Sequence, residues 1–159
     1  MSGAPFVVLA CGNPSRGDDA LGPLLLERLR DWLEASGQSD RCELIEDFQF
    51  QVEHALDLQG RRAALFIDAG TGTPPPYTLR PIMADGTPGH STHAMSPAAV
   101  LDVYARVLGG TPPETSVLCV RGERFELGED LSEAAREHLE AAWPALRDFC
   151  EAWFFVPDR

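Results

Sequence analysis

The sequence predicts an α/β fold: a three-layer sandwich with a mostly parallel central sheet of about five strands and helices on both faces. Two observations predict it. Apolar runs of strand length alternate with stretches whose apolar residues recur every three or four positions. The strand-like runs are also apolar at nearly every residue rather than every second one, the mark of strands covered on both faces. Neither an internal repeat nor a linker interrupts this alternation, and 159 residues suit one compact unit, so residues 1–159 are read as a single domain.

The elements follow in order. Residues 5–11 form a continuous apolar run closed by Gly12, Asn13 and Pro14, a buried strand and its turn. From Leu21 the period changes: Leu21, Leu25, Leu29, Trp32 and Leu33 share one face of an amphipathic helix that stops at Ser36 and Gly37. Residues 42–47 read as a second strand, and 51–58 as a helical segment stopped by Gly60. Residues 63–68 are a third strand, apolar until it ends in Asp68. A loop over 70–76 precedes a strand at 77–83, and a polar, Gly- and Pro-broken loop over 84–96 carries His90 and His93. Residues 97–108 are expected to be helical, with Val100, Leu101, Tyr104 and Val107 on one face. A strand at 115–121 and a terminal helix from 129 to about 149, kinked or divided at Pro144, complete the chain.

Composition narrows the function. There are 13 basic residues against 25 acidic ones, a net charge of −12, which argues against nucleic acid or anionic lipid as partner. Every basic residue is arginine. The absence of lysine excludes Schiff-base chemistry, a phosphate-binding P-loop lysine and a Ser–Lys dyad. No apolar run approaches the ~20 residues of a bilayer span, and the N-terminus lacks a secretory layout, so a cytoplasmic protein without a membrane partner is expected. Cys11, Cys42, Cys119 and Cys150 are widely spaced and read as buried apolar residues in a reducing compartment.

In open α/β sheets functional groups gather at the C-terminal ends of the strands. Here those ends carry Asp18 and Asp19, Glu46 and Asp47, and Asp68. Asp18 and Asp19 can cap the helix beginning at Leu21, one of them capping while the other stays free. Asp68 lies at the rim of a dry strand, where an unpaired charge is costly. His54 and His138 fall on helices among charged residues and are expected to be solvated. Aspartate oxygens with a loop imidazole are an ordinary ligand set for zinc or nickel.

Gly12-Asn13, then Asp18-Asp19 with Gly22, then the strand-ending Asp68-Ala69, then Ser91-Thr92-His93 resemble the hydrogenase maturation endopeptidases. Those enzymes trim the C-terminal extension of the large subunit of [NiFe] hydrogenases. The resemblance runs from Phe6 to about Leu146 in order and spacing. It implies that Asp19, Asp68 and His93 are the catalytic and metal-coordinating trio, with Asp18 left for structure. It further implies that the trio recognises nickel already installed in the large-subunit precursor, so that no cofactor is tightly bound by the enzyme itself. Many family members carry Asp-Gly-Gly-Thr after the second strand, whereas this chain has Glu46, Asp47, Phe48, Gln49, Phe50 and Gln51. Phe48, Gln49 and Gln51, with residues 125–131, look more like the subgroup serving cytoplasmic NAD-linked hydrogenases. Two readings of the same residues stay open beside this one: a self-contained zinc hydrolase, and a non-catalytic metal-sensing or chaperone module.

Overall fold

A computed structural model describes residues 3–84 and 95–155. His90 and His93 lie outside the described residues. The apolar runs become strands β1 (Phe6–Cys11), β2 (Cys42–Asp47), β3 (Ala63–Gly70), β4 (Tyr77–Ile82) and β5 (Glu114–Arg121). The helices are α1 (Leu21–Ala35), α2 (His54–Asp57), α3 (Pro97–Val103) and α4 (Glu133–Phe154).

The strands form one five-stranded sheet in the order β2-β1-β3-β5-β4. All neighbours are parallel except β4, which runs antiparallel to β5 at the edge. A parallel return needs a crossover of about a dozen residues or more, and the link between β3 and β4 is too short for one. Edge placement also accommodates Pro81, which has no N–H to donate to a ladder.

The continuous apolar runs serve two cores. Phe6, Val8, Ala10, Leu65, Ile67, Leu118 and Val120 pack under α1 and α4, with Leu25, Leu29, Leu139, Leu146 and Cys150. Val7, Leu9, Cys11, Ala64 and Phe66 face the opposite way, under α2 and α3, with Phe50, Leu58, Val100 and Leu101. Alternate residues of one strand therefore bury on opposite faces, as a sheet with helices on both sides requires. Among the described residues, no helix is long and apolar enough to cross a membrane.

Several local expectations are corrected. The terminal helix starts at Glu133, four residues later than its period suggests, because Ser132 caps it by accepting the Ala135 N–H at 3.1 Å. It runs on to Phe154 without dividing at Pro144. Pro144 and Glu140 are both exposed, so the helical bond that Pro144 cannot donate to the Glu140 carbonyl is lost on the solvent side. The expected helix over 97–108 widens to a π-turn at Tyr104–Leu108. That winding shifts the register and leaves Val107 73% exposed rather than on the buried face. His54 is buried, not solvated: its Nδ1 accepts the Gln51 N–H at 2.8 Å, and its Nε2 lies 3.4 Å from Asp47. Half-buried His138 donates from Nδ1 to the Arg121 carbonyl at 2.9 Å.

Candidate active site

Strand β1 ends at Cys11 and hands the chain to Gly12, whose φ of +148° favours glycine. A Cβ at Gly12 would lie 1.9 Å from the Asp19 carbonyl oxygen, so the loop closes on itself only with glycine there. The return is held by the Asn13 N–H, which donates to Asp19 Oδ2 at 2.7 Å. A 3-10 turn over Gly17–Ala20 leads into α1, and Gly22 lets that helix approach the end of β1. A Cβ at Gly22 would stand 2.6 Å from the Cys11 carbonyl oxygen. Both glycines of the motif thus answer to backbone contact, and the aspartates between them are placed by it.

Those aspartates face different surroundings. Asp18 is fully buried and accepts N–H bonds from Glu123 at 2.7 Å, Arg124 at 3.0 Å and Ser132 at 2.7 Å, plus the Ser132 hydroxyl at 2.7 Å. Burial opposes its charge, yet the four hydrogen bonds together win and hold its carboxyl below the usual range. Asp19 is half-buried and lines a cleft of about 320 Å³ with Asp68. Among the described residues only the Asn13 N–H bonds its side chain, through Oδ2.

Asp68 stands near the end of β3, beside β1. Its Oδ1 accepts the Ala69 N–H at 2.7 Å and the Cys11 thiol at 3.3 Å, leaving Oδ2 without a hydrogen bond among the described residues. Burial raises its pKa, the Ala69 and Cys11 bonds counteract that, and the nearby charge of Asp19 raises it further. The Cys11 thiol is pushed far above its usual range by burial, then by the Asp68 charge and the hydrogen bond to it. It is therefore a neutral donor, which removes it as a nucleophile.

Asn13, Arg16 and Asp19 form one side of the cleft and Phe48, Gln49, Phe50 and Met95 another, with Cys11 and Asp68 also lining it. Met95, two residues after His93 in the chain, is held by its N–H to the Phe50 carbonyl at 3.3 Å. Asp47 does not line the cleft; it accepts the Phe48 N–H at 2.7 Å and faces His54. A larger hollow, about 670 Å³, opens elsewhere, around Pro5, Gly60 and Arg61. There Arg61 is occupied by Glu43 and the carbonyls of Ala4 and Asp57.

Cys11 and Arg16 join the site although no sequence pattern singles them out. Cys11 ends a strand just as the acids do, a signal hidden by its apolar neighbours. Arg16 lies inside the motif, between its glycines, and only the folded loop shows which way it contributes. Phe48 and Gln49, noted only as departures from the family pattern, prove to line the cleft.

No protein-family model matches the chain, and no curated protein sequence matches it significantly. Its fold is similar to that of the [NiFe] hydrogenase maturation protease HycI from Thermococcus kodakarensis, with a TM-score of 0.66 and 21% identity over 92% of this chain and 93% of that one. It is similar also to the hydrogenase maturating endopeptidase HybD from E. coli, with a TM-score of 0.64 and 23% identity over 90% and 92% of the two chains. A hydrogenase 2 maturation peptidase from a Thaumarchaeota archaeon gives a TM-score of 0.62 and 20% identity over 92% and 97%. At these identities the likeness establishes a shared α/β fold.

Proposed function

We propose that this chain is an endopeptidase that removes the C-terminal extension of a [NiFe] hydrogenase large-subunit precursor once nickel is in place. One observation carries the reading. Asp19 and Asp68 line a single open cleft at the C-terminal edge of the sheet, and each keeps a carboxylate oxygen free of hydrogen bonds among the described residues. The shared fold with maturation proteases, over about nine-tenths of both chains, supports assigning that cleft to their chemistry.

Two carboxylates held close together repel each other unless a cation or proton joins them. The free oxygens suit a divalent ion, and His93 is assigned as the third ligand on the family resemblance. The nickel is cargo of the precursor, which supplies the remaining ligands. Anchoring it at Asp19 and Asp68 would hold the adjoining peptide in the cleft, gaining rate by proximity. The Cys11 thiol is engaged as a donor to Asp68, and in this reading water is the attacking group. Asp18, wholly engaged by the backbone and by Ser132, supports the loop and does not touch substrate. All four cysteines are unpaired, in keeping with action in the cytoplasm.

The test compares nickel-loaded with nickel-free precursor in a gel assay for the trimmed large subunit. Loaded precursor should be cut and nickel-free precursor left intact, and prior chelation of the enzyme alone should change nothing. Activity restored only by returning zinc to the enzyme would replace this reading with that of a self-contained metallohydrolase. Binding without cleavage would favour a chaperone.

A further inference from the structure

The cleft contains one cationic side chain among its described residues, and neither the metal nor the fold accounts for it. Arg16 sits in the motif loop and lines the cleft with Asp19 and Asp68. Its backbone is fixed on both sides: its N–H donates to the Asn13 carbonyl and its own carbonyl accepts the Asp19 N–H, each at 3.0 Å. Its side chain is oriented by one bond, from Nε to the Phe125 carbonyl at 3.2 Å. Among the described residues the guanidinium makes no ion pair, although two carboxylates line the same cleft. Arginine has five N–H donors, so the fork retains four for a ligand.

Resting on the endopeptidase reading, we propose that Arg16 is a catalytic residue that binds the scissile carbonyl oxygen and stabilises the negative charge that develops there. In peptide hydrolysis the water oxygen bonds to the carbonyl carbon, and the C=O π pair moves onto oxygen. That pair then re-forms the carbonyl as the C–N bond breaks, and the departing nitrogen takes up the proton released by the attacking water. The oxyanion adds negative charge to this cleft, and the nickel anchored by Asp19 and Asp68 is already shared with the ligands of the precursor. A cation held in the cleft offsets this, and a hydrogen bond with an ionised partner is roughly twice as strong as one between neutral groups. The other polar side chains of the cleft that can donate, the amides of Asn13 and Gln49, carry no charge. Arg16 is also exposed and remote from both cores, so its replacement should leave the fold standing.

The experiment measures single-turnover processing of nickel-loaded precursor at rising enzyme concentration for the wild type, Arg16→Gln, Arg16→Lys and Arg16→Ala. Arg16→Gln should lower the maximal rate about 100-fold or more, with the half-saturating concentration changed by less than about threefold. Arg16→Lys should fall between it and the wild type, and added ethylguanidinium should restore rate to Arg16→Ala. An unchanged maximal rate in Arg16→Gln would overturn the assignment. So would a raised half-saturating concentration at unchanged maximal rate, which would mark Arg16 as a docking contact for a substrate carboxylate. Failure of guanidinium to rescue Arg16→Ala would likewise count against it, even if Arg16→Gln were poorly folded. If the wild type leaves nickel-loaded precursor uncut, the endopeptidase reading falls and this assignment with it. Cutting by the wild type and Arg16→Gln at equal rates removes only Arg16.

Discussion

Asp18 and Asp19 are chemically identical neighbours, and the fold separates them completely. Asp18 turns into the protein, where three backbone N–H groups and a hydroxyl converge on it from the segment between β5 and α4. Asp19 turns to the cleft and takes one N–H from its own loop. A carboxylate saturated with donors is a fastening, because its charge is already compensated and its removal orphans buried groups. A carboxylate with a free oxygen beside a second carboxylate is electrostatically unfinished, the condition that favours a bound cation. The two also differ in exposure, Asp18 fully buried and Asp19 half-buried, but exposure does not say what either carboxylate binds. What separates them is how many donors the protein directs at each oxygen.

The largest effect should come from breaking the fastening. Asp18→Ala leaves the buried Ser132 N–H and hydroxyl and the part-buried N–H groups of Glu123 and Arg124 without their acceptor, and should cost about 3 kcal/mol or more in a denaturant titration. A loss under ~1 kcal/mol would mean that water readily replaces the carboxylate, and the contrast with Asp19 would weaken. Next comes the backbone contact that places both aspartates. Gly22→Ala puts a Cβ 2.6 Å from the Cys11 carbonyl oxygen and should destabilise by about 1–3 kcal/mol while slowing processing. Normal processing by a fully stable Gly22→Ala protein would show that α1 can shift without disturbing the cleft.

The contrast between closed and open surroundings extends to pH. Burial, partly offset by Arg61, raises the Cys42 thiol to about 12, from 9.0. Below about pH 9 the thiol is neutral in folded and unfolded chains alike, and burying it carries no titration penalty. Between about 9 and 12 the unfolded chain releases this proton and the folded one keeps it, so stability should decline as pH rises. Urea midpoints measured from about pH 8 to 10.5 should fall, and Cys42→Ala should flatten the slope. A slope unaffected by the substitution would assign the decline to other groups. The smallest stability effect should belong to Asp19→Asn, under ~1 kcal/mol by thermal melting, with processing abolished in the same preparation. A mutant that melts normally and still cuts would remove Asp19 from the site.

Much of the fold is legible in local pattern. The leucine period of α1 and the unbroken apolar runs of β1 and β3 each carry their own signal, because burial on one or two faces dictates residue spacing directly. Other features need contacts that spacing does not contain. The N-terminus of α4 is displaced because Ser132 both caps the helix and donates to Asp18. His54 reads as a solvated helix residue until Asp47 and the Gln51 N–H are brought to its two nitrogens. The direction of β4 follows from a link too short for a crossover and from its place beside β5, neither visible in the strand itself. In the cleft, Asp68 was legible as a charge at a dry strand end, while the Cys11 thiol bonded to it was masked by its apolar run.

Local sequence is enough for the alternation of strands and helices, the glycines at the motif turn and the acids at the strand ends. Each of these depends on covalent geometry or on burial periodicity within a few residues, so each is written locally. The folded chain decides which of two adjacent aspartates is closed and which is open. The donors that close Asp18 come from residues 105 to 114 positions away, and no local spacing encodes them. It likewise decides that Arg16, Asp19 and Asp68 share one cleft, because Asp68 joins that loop only through the pairing of β1 with β3. A site assembled from two strand ends exists only once the sheet has brought them together.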